Sequence, residues 1–248
     1  MMDMRHVVVD DLLDALGSRG KYQILMYFLS TLNSVTEAFH SLNIVFIGMP
    51  NPHKCAPPPD LPVNQTDDVF GKCSILSRYE TNATSCIYGY QYEHPVNFSI
   101  VSEWDLVCDQ AALADLSQTM LNVGMAIGAS TLTLASDKYG RKPICVLSHL
   151  LCLAIGICAS FAPNYAVFMV MRFFSGIVQQ GASLCAVTYA IELFPKEKRR
   201  YCGFYGSLMW TFACMLITPI AYLTRVYSWR IVYLTLASVS LYSLIQYW

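Results

Sequence analysis

The chain has 248 residues, of which 55% are hydrophobic and 13% charged, and its formal net charge is −1. A soluble domain ordinarily carries about 25% charged residues, so this composition, with a mean hydropathy of +0.41, reads as an all-α polytopic membrane protein. The near-neutral balance gives no case for nucleic acid, and none is expected as a partner.

Residues 1–21 are polar and of mixed charge, and read as a cytoplasmic tail with a short amphipathic helix over Asp10–Gly17. No short apolar run with a small-residue cleavage site opens the chain, so the first span is expected to be an uncleaved anchor. That span covers residues 22–48, enough for roughly 30 Å of hydrocarbon. Ser30, Asn33, Glu37, His40 and Ser41 recur on one of its faces. A polar stripe in a span faces protein or water. Glu37 is its sharpest member, because a carboxylate there is costly and marks a pathway, unless it pairs with His40 or is protonated at a helix contact.

Residues 49–112 are a different material. They hold Cys55, Cys73, Cys86 and Cys108 and no long apolar run. Three glycosylation sequons begin at Asn64, Asn82 and Asn97, which predicts an extracellular loop. An even cysteine count in an oxidising compartment predicts two disulfides, with three pairings open. His53 and His94 have no metal-binding spacing and read as surface residues. No metal or other cofactor is expected.

Residues 113–248 hold five further spans. The second, about Ala114–Ala135, carries Gln118 and Asn122 on one face, with Gly124 and Gly128 spaced for close helix packing. A short charged turn follows, Asp137–Lys142, with Gly140 supplying backbone freedom. Lys138, Arg141 and Lys142 mark it as cytoplasmic, and Asp137 is placed to cap a helix or pair with an arginine. The third span, about Pro143–Ala162, reads as apolar all round and lipid-facing. The fourth, about Tyr165–Phe194, contains Arg172, a candidate partner for Asp137, Glu192 or Glu37, and a polar face of Gln179, Gln180, Ser183 and Thr188. A second basic loop runs to Arg199 and Arg200. The fifth span is about Cys202–Tyr222, with Ser207 near its start, and the sixth is about Ile231–Trp248. The tail and two basic loops hold ten of the 16 Lys and Arg residues, which places the N-terminus in the cytoplasm.

The turn resembles the G-x-x-x-D-R/K-x-G-R-R/K loop between the second and third spans of major facilitator superfamily transporters, with Thr133 in place of the leading glycine. The run Ser99 to Asp109, containing Glu103-Trp104-Asp105, resembles the organic ion (cation, anion, carnitine) transporter family within it. So do Arg172 with Gly176, Glu192 with Arg199 and Arg200, and Trp229-Arg230. The resemblance implies the six-helix N-terminal bundle of a transporter, with a large extracellular loop between spans 1 and 2. A second bundle is expected, since the family's Pro-Glu-Ser-Pro-Arg signature would follow the sixth span. It implies transport of small organic ions by alternating access at the plasma membrane. Asn33, Glu37, His40, Gln180 and Ser183 become pathway candidates, with Gln118 and Ser207 flanking. Asp137, Gly140, Arg141, Lys142, Arg172, Glu192 and Arg199 become a cytoplasmic gating network, and the third and sixth spans face lipid.

Glu37 favours cations or zwitterions over anions. The alternatives are an organic anion or sugar transporter of the same superfamily, and a non-transporting half that regulates a full-length partner. No His/Glu metal spacing or serine–histidine arrangement supports an enzyme. The partners expected are thus a small organic ion, the lipid bilayer, and a second bundle or full-length partner.

Overall fold

The computed structural model describes residues 21–57, 69–76, 84–192, 194 and 199–242. It is mostly helical. The helices are α1 (Lys21–Thr31), α2 (Asn33–Ile47), α3 (Ile100–Glu103), α4 (Ala111–Tyr139), α5 (Arg141–Ser160), α6 (Tyr165–Glu192), α7 (Arg199–Thr224) and α8 (Trp229–Ser238), the last continued by a 3₁₀ turn over Val239–Tyr242. The amphipathic helix expected at residues 10–17, the sequons at Asn64 and Asn82, the basic residues at 196 and 198, and the end of the sixth span lie outside the described residues.

The first predicted span is two helices in one trajectory. Leu32 keeps helical dihedrals (φ −61°, ψ −19°), while the Thr31 hydroxyl bonds back to the Phe28 carbonyl at 2.8 Å, the kind of local competition that loosens a helical ladder. The predicted charged turn is tighter than six residues. Helix runs through Tyr139 and resumes at Arg141, with Gly140 alone between them at φ 97°. A side chain there would be strained. Asn164 Oδ1 accepts the Val167 N–H at the start of α6 and Ser228 Oγ accepts the Arg230 N–H at the start of α8, side-chain caps that fix where these helices begin.

The long helices pack as a bundle with α6 at its centre, against α4 on one side and α5 on the other; α2 packs on α7 and α8. The α4–α6 contact depends on glycine. A Cβ at Gly124, Gly128 or Gly176 would run into the Phe173, Ile177 or Leu121 carbonyl of the facing helix, so backbone meets backbone there.

Two helices, Arg141–Ser160 and Tyr201–Thr224, pass as membrane spans on length and apolar composition alone. Of the other helices, α1, α2 and α8 are short, at 11, 15 and 10 residues, while α4 and α6 are long but carry polar groups, Gln118, Asn122, Arg172 and Gln179 among them, that lower their hydropathy. The α5 helix is not apolar all round. It buries Cys145, Ser148, His149, Cys152 and Gly156 and exposes Leu147, Leu151 and Cys158. The lipid-facing expectation is therefore corrected to one exposed face, because His149 and Ser148 need protein partners. Likewise α8 buries Trp229, Val232, Tyr233 and Leu236 while exposing Ile231.

The segment between α2 and α4 adds what an all-α reading omits. Strands β1 (His53–Cys55) and β4 (Tyr90–Tyr92) pair antiparallel, as do β2 (Val69–Phe70) and β3 (Ile75–Leu76). Disulfides join Cys55 to Cys86 and Cys73 to Cys108. Ser99 Oγ accepts the Ser102 N–H to start α3. The Trp104 ring that follows packs on Tyr165, Phe168 and Trp229, so the segment is seated on the bundle by aromatic contact.

Candidate functional site

The stripe on α1 and α2 opens onto a cavity of 410 Å³ between these helices, α6 and α7. Ser30, Asn33 and Glu37 line it from one side, Ala186 and Ala190 from α6, and Gly203, Gly206, Ser207 and Trp210 from α7. Glycine on α7 leaves open space, since a Cβ at Gly203 or Gly206 would meet nothing within 4 Å. Tyr27 also lines the cavity. Its hydroxyl donates to the Cys202 carbonyl at 2.9 Å and its ring meets Phe194 edge-on at 5.3 Å, tying α1 to α7 at that end. A second cavity of 710 Å³ lies in the α2–α4 segment, between His53, Lys54, Phe70, Lys72 and Tyr92, and touches none of the stripe.

Glu37 is half-buried. Its Oε2 accepts the Ser183 hydroxyl at 2.8 Å. Its carbonyl accepts Gln179 Nε2 at 3.0 Å, and the same amide donates to Ser41 Oγ at 2.6 Å. No Lys, Arg or His forms an ion pair with Glu37 among the described residues, so the alternative to a pathway role, pairing with His40, is not formed. His40 is buried, with Nε2 3.3 Å from Ser240 Oγ.

Arg172 is fully buried, and its partners are neutral. Nη1 donates to Asn43 Oδ1 at 2.8 Å and to the His40 carbonyl at 3.2 Å, and Nη2 donates to Gln118 Oε1 at 2.8 Å. Asp137, Glu192 and Glu37 were its candidate partners, and none pairs with it. Glu192 is 20 residues further along α6, about 30 Å at 1.5 Å per residue. Arg172 therefore fastens α2, α4 and α6 in the half of the bundle away from the charged turn, and it has no contact with that turn.

At the turn, Arg141 bridges two carboxylates, Asp137 at 3.2 Å and Glu192 at 2.9 Å. This joins the ends of α4, α5 and α6 around Gly140. Lys142 is half-buried beside it. Arg199 donates from Nε to the Phe194 carbonyl at 3.2 Å.

The opposite end has a cluster that sequence reasoning did not assign. The Glu103 carboxylate accepts from both the Trp229 indole and the Arg230 guanidinium, and Arg230 also donates to the Ser160 and Ala162 carbonyls at 2.9 and 3.1 Å. Nearby, the Tyr92 hydroxyl donates to Asp105 Oδ1 at 2.8 Å. Burial first, then that bond to the carboxylate, pushes the phenol above its ordinary range and keeps it a donor. His53, Cys73 and Cys108 come together, but both sulfurs are spent in a disulfide and do not offer thiolate ligands. Asn97 is exposed.

Of the residues singled out in sequence, Ser30, Asn33, Glu37 and Ser207 share the cavity and Ser183 reaches it through Glu37. His40 and Gln118 are drawn to Arg172. Gln180 is half-buried and does not line the cavity; its neighbour Gln179 makes the contacts to α2. Asn43 extends the stripe by one more helical step and was readable as such. Trp210 and Glu103 carried no spacing signal.

The sequence model of the family described as sugar (and other) transporter matches residues 69–246. An organic cation transporter-like protein of Drosophila melanogaster is 30% identical over 96% of this chain and 46% of its own length. Organic anion transporter 3 of Sus scrofa is 31% identical over 92% of this chain and 44% of its length. Solute carrier family 22 member 3 of Rattus norvegicus is 28% identical over 96% and 50%. The chain thus spans about half the length of the curated relatives it matches. Among solved structures, the inward open conformation of the xylose transporter XylE from E. coli superposes with a TM-score of 0.62 at 15% identity, over 91% of this chain and 48% of that one.

Proposed function

Because the chain belongs to the sugar (and other) transporter family, within the major facilitator superfamily, we propose that it is one six-helix half of a multi-pass transporter for small organic ions, cations or zwitterions before anions. Its relatives are organic cation and organic anion transporters by name, and they leave the sign of the charge open. The observation that carries the choice is Glu37, a carboxylate on the wall of the 410 Å³ cavity with no cation paired to it among the described residues. Such a group attracts a cation and repels an anion. Trp210 and Tyr27 on the same wall add ring faces that favour a cation.

In this reading the N-terminus is cytoplasmic, the α2–α4 segment is extracellular and glycosylated at Asn64, Asn82 and Asn97, and Asp137, Arg141 and Glu192 form the cytoplasmic latch. Transport proceeds by rocking against a second bundle. The broad apolar face of α7, with Phe204, Phe212 and Met215 exposed, is where that bundle or lipid lies.

The test is paired uptake of tetraethylammonium and benzoate by cells expressing the native protein, with Glu37→Gln at matched surface abundance. Cation uptake lost on that substitution supports the reading. Cation uptake unchanged by it, or uptake of benzoate alone, rejects it.

A further inference from the structure

Glu37 has the setting of a group that must exchange one positive charge for another. An ionised carboxylate withdrawn from water without a counter-charge is costly, and either a proton or a bound cation relieves the cost. No protein cation does so among the described residues. Arg172 is held through Nη1 and Nη2 by Asn43, His40 and Gln118, and it is 11 residues from Ser183 on α6, about 16 Å along the helix. Arg141 is taken by Asp137 and Glu192. Further titratable groups on the surrounding elements include Lys21, exposed at the start of α1, Tyr27 and His40 on α1 and α2, Cys185 and Tyr189 on α6, and Tyr201, Cys202 and Tyr205 on α7, with Arg199 at the start of α7 donating to the Phe194 carbonyl.

The partner that Glu37 does have serves both of its states. Ser183 Oγ lies 2.8 Å from Glu37 Oε2. A hydroxyl donates to a carboxylate, and by rotating its hydrogen it accepts from a carboxylic acid O–H. Loading or removing the proton therefore leaves the heavy atoms where they are. The cavity beside Glu37, 410 Å³ in volume, has room for an organic cation within reach of the carboxylate.

We propose that Glu37 holds either a proton or the substrate cation, never both, so that binding an organic cation releases one proton from Glu37 to water. The balance is simple. The Glu37 O–H bond breaks, the proton leaves to bulk solvent, and the carboxylate keeps the electron pair and faces the cation. A full cycle through both sides of the membrane then exchanges cation for proton. This rests on the cation reading of the preceding subsection and adds the coupling to it.

The experiment is calorimetric titration of the purified native protein in lipid nanodiscs with tetraethylammonium, over a range of about pH 5 to pH 9, in two buffers of different ionisation enthalpy. Linkage then gives the protons released per cation. The expected result is about one proton released on the acid side and none on the alkaline side, with affinity falling about tenfold per pH unit on the acid side. Glu37→Gln, checked for folding by size-exclusion, is expected to abolish the release and weaken binding at every pH. Binding that depends on Glu37 but releases no proton at any pH overturns the exchange and leaves the cation reading standing. Proton release that persists in Glu37→Gln overturns it by assigning the proton elsewhere. Absence of tetraethylammonium binding at every pH overturns both, as does proton uptake on binding benzoate.

Discussion

Arg172 and Asn43 are 129 residues apart in the chain and 2.8 Å apart in the structure, guanidinium to amide oxygen. With Gln118 on α4 completing the set, one buried side chain joins three helices through neutral acceptors. Hydrogen bonds to a charged group contribute about 1.5–3 kcal/mol each, and stranded acceptors cost a similar amount. Arg172→Leu is therefore expected to destabilise the protein by about 3–5 kcal/mol. Arg172→Lys should cost less but still more than about 1 kcal/mol, because an ammonium lacks the planar fork. Thermal unfolding in detergent measures both, and a Leu variant as stable as the parent would refute the role.

Glu103 and Arg230 are not equivalent partners. Loss of Glu103 removes the ion pair and the Trp229 bond, whereas loss of Arg230 also uncovers the Ser160 and Ala162 carbonyls at the end of α5. With side chains 22% and 28% exposed, the pair is screened, and its coupling in a double-mutant cycle is expected to be about 1 kcal/mol. Arg230→Gln should be the more damaging single change. Equal costs for Glu103→Gln and Arg230→Gln would show that the carbonyl contacts contribute nothing.

Much of this bundle was legible in sequence because its signals are local. The helices, the Gly140 turn and the polar stripe through Glu37 all follow from periodicity within one segment. The partnerships across segments were not legible. The residues alone left Asp137, Glu192 and Glu37 open as partners for Arg172, and the resemblance put it in the charged network; helix rise, which separates it from Glu192, and the facing positions of Asn43 and Gln118 show otherwise. The choice of Gln179 over Gln180 turns on about 100° of helical rotation, finer than a stripe drawn from spacing. The α5 helix was misjudged because its three cysteines masked Ser148 and His149, whose burial makes one face inward. Two disulfides were predictable from count, but their pairing needed the strand register that sets Cys55 against Tyr90.

The glycines of the α4–α6 contact and those of α7 should behave oppositely. A methyl at Gly176 would overlap the Leu121 carbonyl, whereas one at Gly206 meets nothing within 4 Å. Gly176→Ala is expected to cost about 1–3 kcal/mol through helix displacement, and Gly206→Ala to lie within about 0.5 kcal/mol of the parent. Denaturation midpoints of the two variants, side by side, check the packing. Indistinguishable midpoints would contradict it.

Non-reducing peptide mapping is expected to recover Cys55 with Cys86 and Cys73 with Cys108, and neither alternative pairing. These bonds close spans of 31 and 35 residues, so each restricts the unfolded segment by about 4 kcal/mol on the loop-entropy account. Cys73→Ser with Cys108→Ser frees the segment from the start of α4, and protease sensitivity around β2 and β3 should rise while the bundle stays folded. Unchanged proteolysis would show that Trp104 and Glu103 hold the segment without the bond.

Arg141 separates a structural role from a gating one. It stands at the first residue of α5, where a positive charge opposes the helix dipole, and its two carboxylate partners offset that cost. Those partners are exposed, Asp137 at 55% and Glu192 at 53%, so water and salt screen the pairs. Arg141→Gln loses both pairs but also removes the unfavourable charge at the helix start. The two effects oppose each other, and net stability should change by less than about 1 kcal/mol. The salt dependence should change instead. The parent's unfolding temperature should fall slightly as ionic strength rises past the point where the Debye length is about 10 Å, and the variant's should not. If the pairs latch one state of a rocking equilibrium, uptake by Arg141→Gln at matched surface abundance falls far more than stability does. A loss of stability above about 3 kcal/mol, with uptake falling only in proportion to folded protein, would instead make Arg141 a structural brace between α4, α5 and α6.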